Sequence, residues 1–163
     1  QTRWHGNIFC AALGESWKTT SGNNNMRLDL YQQETARIAA AQSALLGQAR
    51  EVLRQGGALR PLEEAGGLHA LQALIENAIG KAKRLLKAAG HPVPVSAYDA
   101  FEALATHGLL AQEDVPTWGA LVGLRNRIVH DYMNIDMAQV RAWVLADKDR
   151  FVSNFLLQTW PST

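Results

Sequence analysis

The sequence is short of cysteine, of β-branched residues and of long apolar runs, and each shortage excludes something. Its single cysteine, Cys10, can form neither an intrachain disulfide nor a cysteine-rich zinc site, so a reducing, cytoplasmic compartment is expected. Near the start the longest apolar run, Ile8 to Leu13, is shorter than a signal-peptide core and far shorter than a membrane span, so no membrane association is expected. Neither sign of charge dominates: 16 Lys plus Arg face 15 Asp plus Glu, and a net charge of +1 gives no global attraction to nucleic acid. GxGxxG, a phosphate loop ending in Gly-Lys-Ser/Thr, HExxH and CxxC are all missing, so no cofactor and no metal is expected.

What is abundant is helix-forming. The 163 residues include 25 Ala and 21 Leu against 6 Ile and 9 Val, a ratio that nearly excludes an all-β fold. This length suits one domain. Residues 1–25 lack helical periodicity and contain a loop-like Ser21-Gly22-Asn23-Asn24-Asn25, so they read as a flexible extension or tag, with Met26 as a natural start and 26–163 as the folded domain. Tyr31, Ile38, Leu45 and Val52 then recur every seven residues, predicting one long helix that Gly56-Gly57 ends. A second is expected from Pro61 to Ala89, stopped by Gly90 and Pro92, and a third from an Ser96 N-cap to Gly108. A fourth follows Asp114 and Pro116, and a fifth runs from an Asp136 cap through Met137, Val140, Val144, Phe151 and Phe155. Short connections between these five predict an antiparallel, up-and-down, all-α bundle.

Most polar residues read as ordinary surface. Asp147 and Asp149, beside Lys148 and Arg150, are expected on a solvated turn, and His5, His69, His91 and His107 have no neighbours at metal-ligand spacing. Lys81, Lys83, Arg84 and Lys87 are expected on the polar side of the second helix, where they either are simply solvated or contact RNA or a protein partner.

The exception is the run from Leu124 to Tyr132. Arg127 and Asp131 at i, i+4 could be a surface pair, but Arg125 falls three and four residues after Val122 and Leu121, on the apolar face, where an unpaired charge is costly. Something anionic is expected to meet it. On an unbroken helix Arg125 and His130 lie about 140° apart and cannot grip one atom together, so either the helix breaks or two copies cooperate. Asn126, four residues before His130, shares its face and could orient the imidazole or hold a phosphate oxygen. An arginine for phosphate and a histidine titrating near neutrality are the minimum for splitting RNA through its own 2′-hydroxyl.

Arg125-Asn126, then His130-Asp131-Tyr132 with four residues between Arg125 and His130, resembles the mark of the HEPN superfamily and within it the HepT-like toxins. The resemblance covers about Met26 to Leu157. It implies a dimeric helical bundle whose two motifs face each other across a cleft, and a metal-independent endoribonuclease that leaves a 2′,3′-cyclic phosphate. It further implies Arg125 and His130 as catalytic residues, with Asn126, which commonly follows the arginine, in support; Asp131 could support His130 by tuning it and Arg127 could contact RNA or an antitoxin, though spacing alone assigns neither. Such toxins are typically paired with a minimal nucleotidyltransferase antitoxin, and Tyr132 matches the tyrosine that receives AMP in characterised pairs. Two alternatives stay open: a non-catalytic HEPN-like nucleotide-binding or scaffold module that only engages a nucleotidyltransferase, and a plain helical interaction protein in which the motif is incidental.

Overall fold

A computed structural model of the chain describes residues 21–159, with side chains from Arg27 onward. Six α-helices make up this part: α1 (Ser21–Arg54), α2 (Pro61–Ala88), α3 (Ala97–Thr106), α4 (Val115–His130), α5 (Met137–Leu145) and α6 (Asp149–Leu157). Single 3₁₀ turns precede and follow α4, at Gln112–Asp114 and Tyr132–Asn134. No described residue is in a strand, and no helix among the described residues is long and apolar enough to cross a membrane. The expected all-α bundle is what forms.

Local chemistry sets most of the boundaries. Ser96 accepts a hydrogen bond from the Asp99 amide and Asp136 accepts from Ala138 and Gln139, so both expected N-caps are in use. At Gly90, φ is +77°, which lets His91 N–H reach back to Leu86 O at 2.9 Å and close α2.

Two boundaries differ from the sequence reading. Helical backbone extends through Ser21–Asn25, which read as a loop; once α1 is nucleated, each further residue adds an intrahelical bond that offsets the modest propensity cost of Gly and Asn. Residues 1–20, the rest of the expected extension, lie outside the described residues. The single last helix is in fact two. Asp147 adopts φ +58° and Lys148 N–H bonds Trp143 O at 3.3 Å, the closure that glycine performs elsewhere in this chain.

Arg50 of α1 explains that break. Its Nε donates to Val144 O at 2.8 Å, at the end of α5, and its guanidinium pairs with Asp147 at 2.9 Å and with Asp149. Asp149 is 3% exposed, so the expectation of a solvated Asp-x-Asp turn is corrected: a cation 97 residues upstream draws both carboxylates inward.

The core lies between α1, α2 and α6 and continues under α3 and α4. Its centre is aromatic: Trp118 stacks on Phe101 at 4.1 Å with planes 7° apart, and meets Phe155 at 4.9 Å and Phe151 at 5.0 Å.

Lys81 is the second correction. It is 2% exposed rather than on the polar side, and its ammonium donates to the carbonyls of Phe155 at 2.7 Å, Leu156 at 3.1 Å and Gln158, the orphan acceptors at the end of α6. Gln32 adds a bond to Leu156 O at 2.9 Å. Burial pushes Lys81 down from its ordinary 10.5 to about 8. A folded-state value below the unfolded one means that the unfolded chain binds the extra proton between about pH 8 and 10.5, so stability rises with pH through that window. Urea unfolding of the parent and of Lys81→Met should therefore diverge, the parent gaining about 2 kcal/mol relative to the variant between pH 7 and 10. Parallel pH profiles would show that Lys81 does not titrate in this window.

Candidate functional site

Helix α4 carries the motif, and its roll about its own axis is fixed by what it buries. Trp118, Leu121 and Val122 face the core, and Tyr98 packs against Gly119, where an added Cβ would come within 3.1 Å of the ring. Arg125 lies two turns after Trp118 on the same face and is half-buried. Its Nε is shut off from solvent and meets no hydrogen-bond acceptor among the described residues. The expected anion is not a residue of the described protein, and a charged donor of this kind is costly to leave unmet.

Arg125 and His130 both belong to α4, which runs unbroken to His130. The break expected as one solution to their separation comes one residue too late to join them. They stay about 140° apart on one helix. His130 is exposed at the helix end, and Asn126 and Arg127 are exposed on the last turns. Among the described residues no hydrogen bond links Asn126 to His130 and no ion pair links Arg127 to Asp131.

The chain turns immediately after His130. Asp131 takes φ −144° and ψ 43°, and its N–H closes the helix on Arg127 O at 2.8 Å. Its carboxylate accepts from Asn134 Nδ2 at 2.6 Å, across the 3₁₀ turn Tyr132–Asn134. Asp131 thus shapes the turn that presents Tyr132, while no bond joins it to His130. Asn134 escaped the sequence reading, although an Asp and an Asn three residues apart is a known turn-forming spacing.

Tyr132 is 49% exposed and lines an apolar groove of about 300 Å³ between the first turns of α2 and the start of α5. Pro61, Glu64, Leu68, Met133, Ile135 and Met137 complete the lining. None of the α2 members could be assigned from sequence, since they lie more than sixty residues from Tyr132.

Elsewhere the expected residues disperse. Lys83 donates to Val95 O at 2.7 Å and the Arg84 guanidinium sits 4.0 Å over the Tyr31 ring; with Lys81 buried, only Lys87 of the four is exposed. His91 and His107 stack with ring centroids 3.5 Å apart, His69 is exposed, and His5 lies outside the described residues. Among the described residues no group of three or more His, Cys, Asp or Glu is placed to hold a metal ion.

Comparison with known proteins bears on the fold and on the family. No curated protein matches the chain in sequence. Three solved structures share the fold. A toxin–antitoxin structure with AMP-PNP matches with TM-score 0.65 at 19% identity, over 77% of this chain and 97% of that one. A tri-AMPylated Shewanella oneidensis HEPN toxin in complex with its MNT antitoxin matches with TM-score 0.57 at 23% identity, over 73% and 93%. A mutant of the MntA–HpeT toxin–antitoxin pair matches with TM-score 0.55 at 23% identity, over 74% and 95%. The family model for ribonuclease HepT-like proteins matches residues 43–153, from the middle of α1 into α6 and through the whole motif. The chain belongs to the HepT-like ribonuclease family.

Proposed function

We propose that this protein is the toxin of a toxin–antitoxin pair, a metal-independent endoribonuclease acting in the cytoplasm on RNA. The observation that carries the reading is the buried Arg125 Nε, a charged donor without an acceptor among the described residues, on the same helix as an exposed His130. A phosphodiester supplies what that donor lacks, and the planar guanidinium matches two of its oxygens.

The chemistry needs two proton transfers. A base takes the proton of the 2′-hydroxyl while its oxygen attacks the adjacent phosphorus; an acid gives a proton to the departing 5′-oxygen. The products are a 2′,3′-cyclic phosphate and a 5′-hydroxyl. One imidazole serves poorly as base and acid in the same step, and Arg125 and His130 of one chain diverge by about 140°. A homodimer answers both difficulties by bringing two histidines and two arginines to one cleft, Arg125 offsetting the charge that builds on the phosphorane. Asn126 and Arg127 are the remaining polar groups at the cleft, and Lys87 remains available to steer the strand.

With this mechanism, His130→Ala should lower RNA cleavage at least a hundredfold without changing the thermal unfolding midpoint, because the side chain is exposed. Arg125→Lys should fall comparably, since an ammonium keeps the charge and loses the fork. Cleavage by either variant at the parent rate would overturn the assignment. Activity should persist in EDTA; loss in chelator with rescue by magnesium would point to a metal route.

Silencing is assigned to Tyr132. A separate minimal nucleotidyltransferase would transfer AMP from ATP, the phenol oxygen attacking the α-phosphorus as pyrophosphate leaves. Adenylate beside Arg125 would occupy the position of the RNA phosphate and repel it. Mass spectrometry after coexpression should find one or more AMP units on the peptide containing Tyr132, and Tyr132→Phe should keep ribonuclease activity while escaping neutralisation. An adduct on another residue, or normal neutralisation of the Phe variant, would refute it.

A further inference from the structure

The groove beside Tyr132 is apolar except at one edge. Glu64 is the only charged residue of its lining, and Glu64 Oε1 accepts from Arg141 Nη1 at 2.7 Å, Arg141 standing one turn beyond Met137 on α5. Both side chains are about a third exposed, 29% and 38%. Oε2 of Glu64 and the other N–H groups of Arg141 meet no protein partner among the described residues. A carboxylate therefore lines the groove beside an aromatic ring and two thioethers, with the Arg141 guanidinium bonded to it from behind the lining.

A flat heterocycle with a polar edge fits both features. Its faces lie against Tyr132, Met133 and Met137, and its edge meets the ion pair. The volume, about 300 Å³, is at the lower end of what holds a small organic ligand. A carboxylate only accepts, so the edge must offer N–H groups; adenine, cytosine and guanine each carry an exocyclic amine, with a ring nitrogen or carbonyl near it for the guanidinium. Uracil also sets an N–H beside a carbonyl that the guanidinium could meet, but a second carbonyl on the other side of that N–H turns its lone pairs toward the carboxylate, a repulsion that an exocyclic amine does not impose.

We propose that the Tyr132 groove is a base-binding subsite for the RNA strand, in which the Glu64–Arg141 pair selects bases bearing an exocyclic amine over uracil. Tyr132 follows His130 by two residues, so the base held here belongs to a nucleotide adjacent to the cleaved phosphate. The choice of RNA as occupant rests on the ribonuclease reading above. Glu64 and Arg141 act on specificity and take no part in the proton transfers.

The test uses full-length protein with ¹³C-labelled methionine methyl groups, titrated with AMP, CMP and UMP. Met133 and Met137 signals should shift with AMP and CMP at concentrations at least fivefold below those needed with UMP. Glu64→Gln, an isosteric substitution at a side chain about a third exposed, is expected to leave the fold intact and should erase the preference because an amide can donate to uracil oxygens. No shift, or equal response to all three nucleotides in the parent, overturns the subsite. RNA cleavage is scored separately: selective binding without cleavage would sink the ribonuclease reading and keep the subsite, and cleavage without methyl shifts would do the reverse.

Discussion

The stack of Phe101 on Trp118, closed from the other side by Phe151 and Phe155, is the contact on which the geometry of this protein turns. Trp118 is 1% exposed and draws one ring from α3 and two from α6. Packing of that density leaves α4 a single roll angle. Everything on α4 inherits the angle: Arg125, two turns on, is held against the core, and His130 is carried round to the surface.

Held in this way, the two groups cannot converge within one chain, and the helix that separates them is intact. The helix keeps its regular backbone through His130, and the two side chains leave it in different directions. A half-buried arginine whose Nε meets no acceptor among the described residues stands out on such a helix, because a buried charged donor is ordinarily paired. The Asp131–Asn134 bond adds the remaining element, a rigid turn that delivers Tyr132 to a groove instead of leaving it on a free loop.

How much of this could be read from the sequence depended on the range of the interaction. The caps at Ser96 and Asp136 and the glycine stop at Gly90 are settled within a few residues, and the sequence reading found them. The Arg125 to Tyr132 run stood out in the sequence because its polar residues are contiguous, and the structure places them on the end of α4 and the turn after it. Lys81 was misread because a lysine in a polar stretch of helix gives no sign that three carbonyls, more than seventy residues later, will enclose it. Asp147 and Asp149 failed for the same reason, their partner Arg50 lying on another helix. The Glu64 edge of the groove was invisible until α2 and α5 were brought together.

Arg50 ties α1 to residues 94 to 99 positions later, and Gln32 reaches across 124 positions to α6. Closures of that length cost more chain entropy than the caps do, because more intervening chain is ordered when the bond is formed. During synthesis, α4 leaves the ribosome before the two rings of α6 that set its roll, so the motif exists as sequence before it exists as geometry. A nascent chain that carries Arg125 and His130 but not yet Phe151 and Phe155 has the motif in sequence without the packing that fixes its orientation.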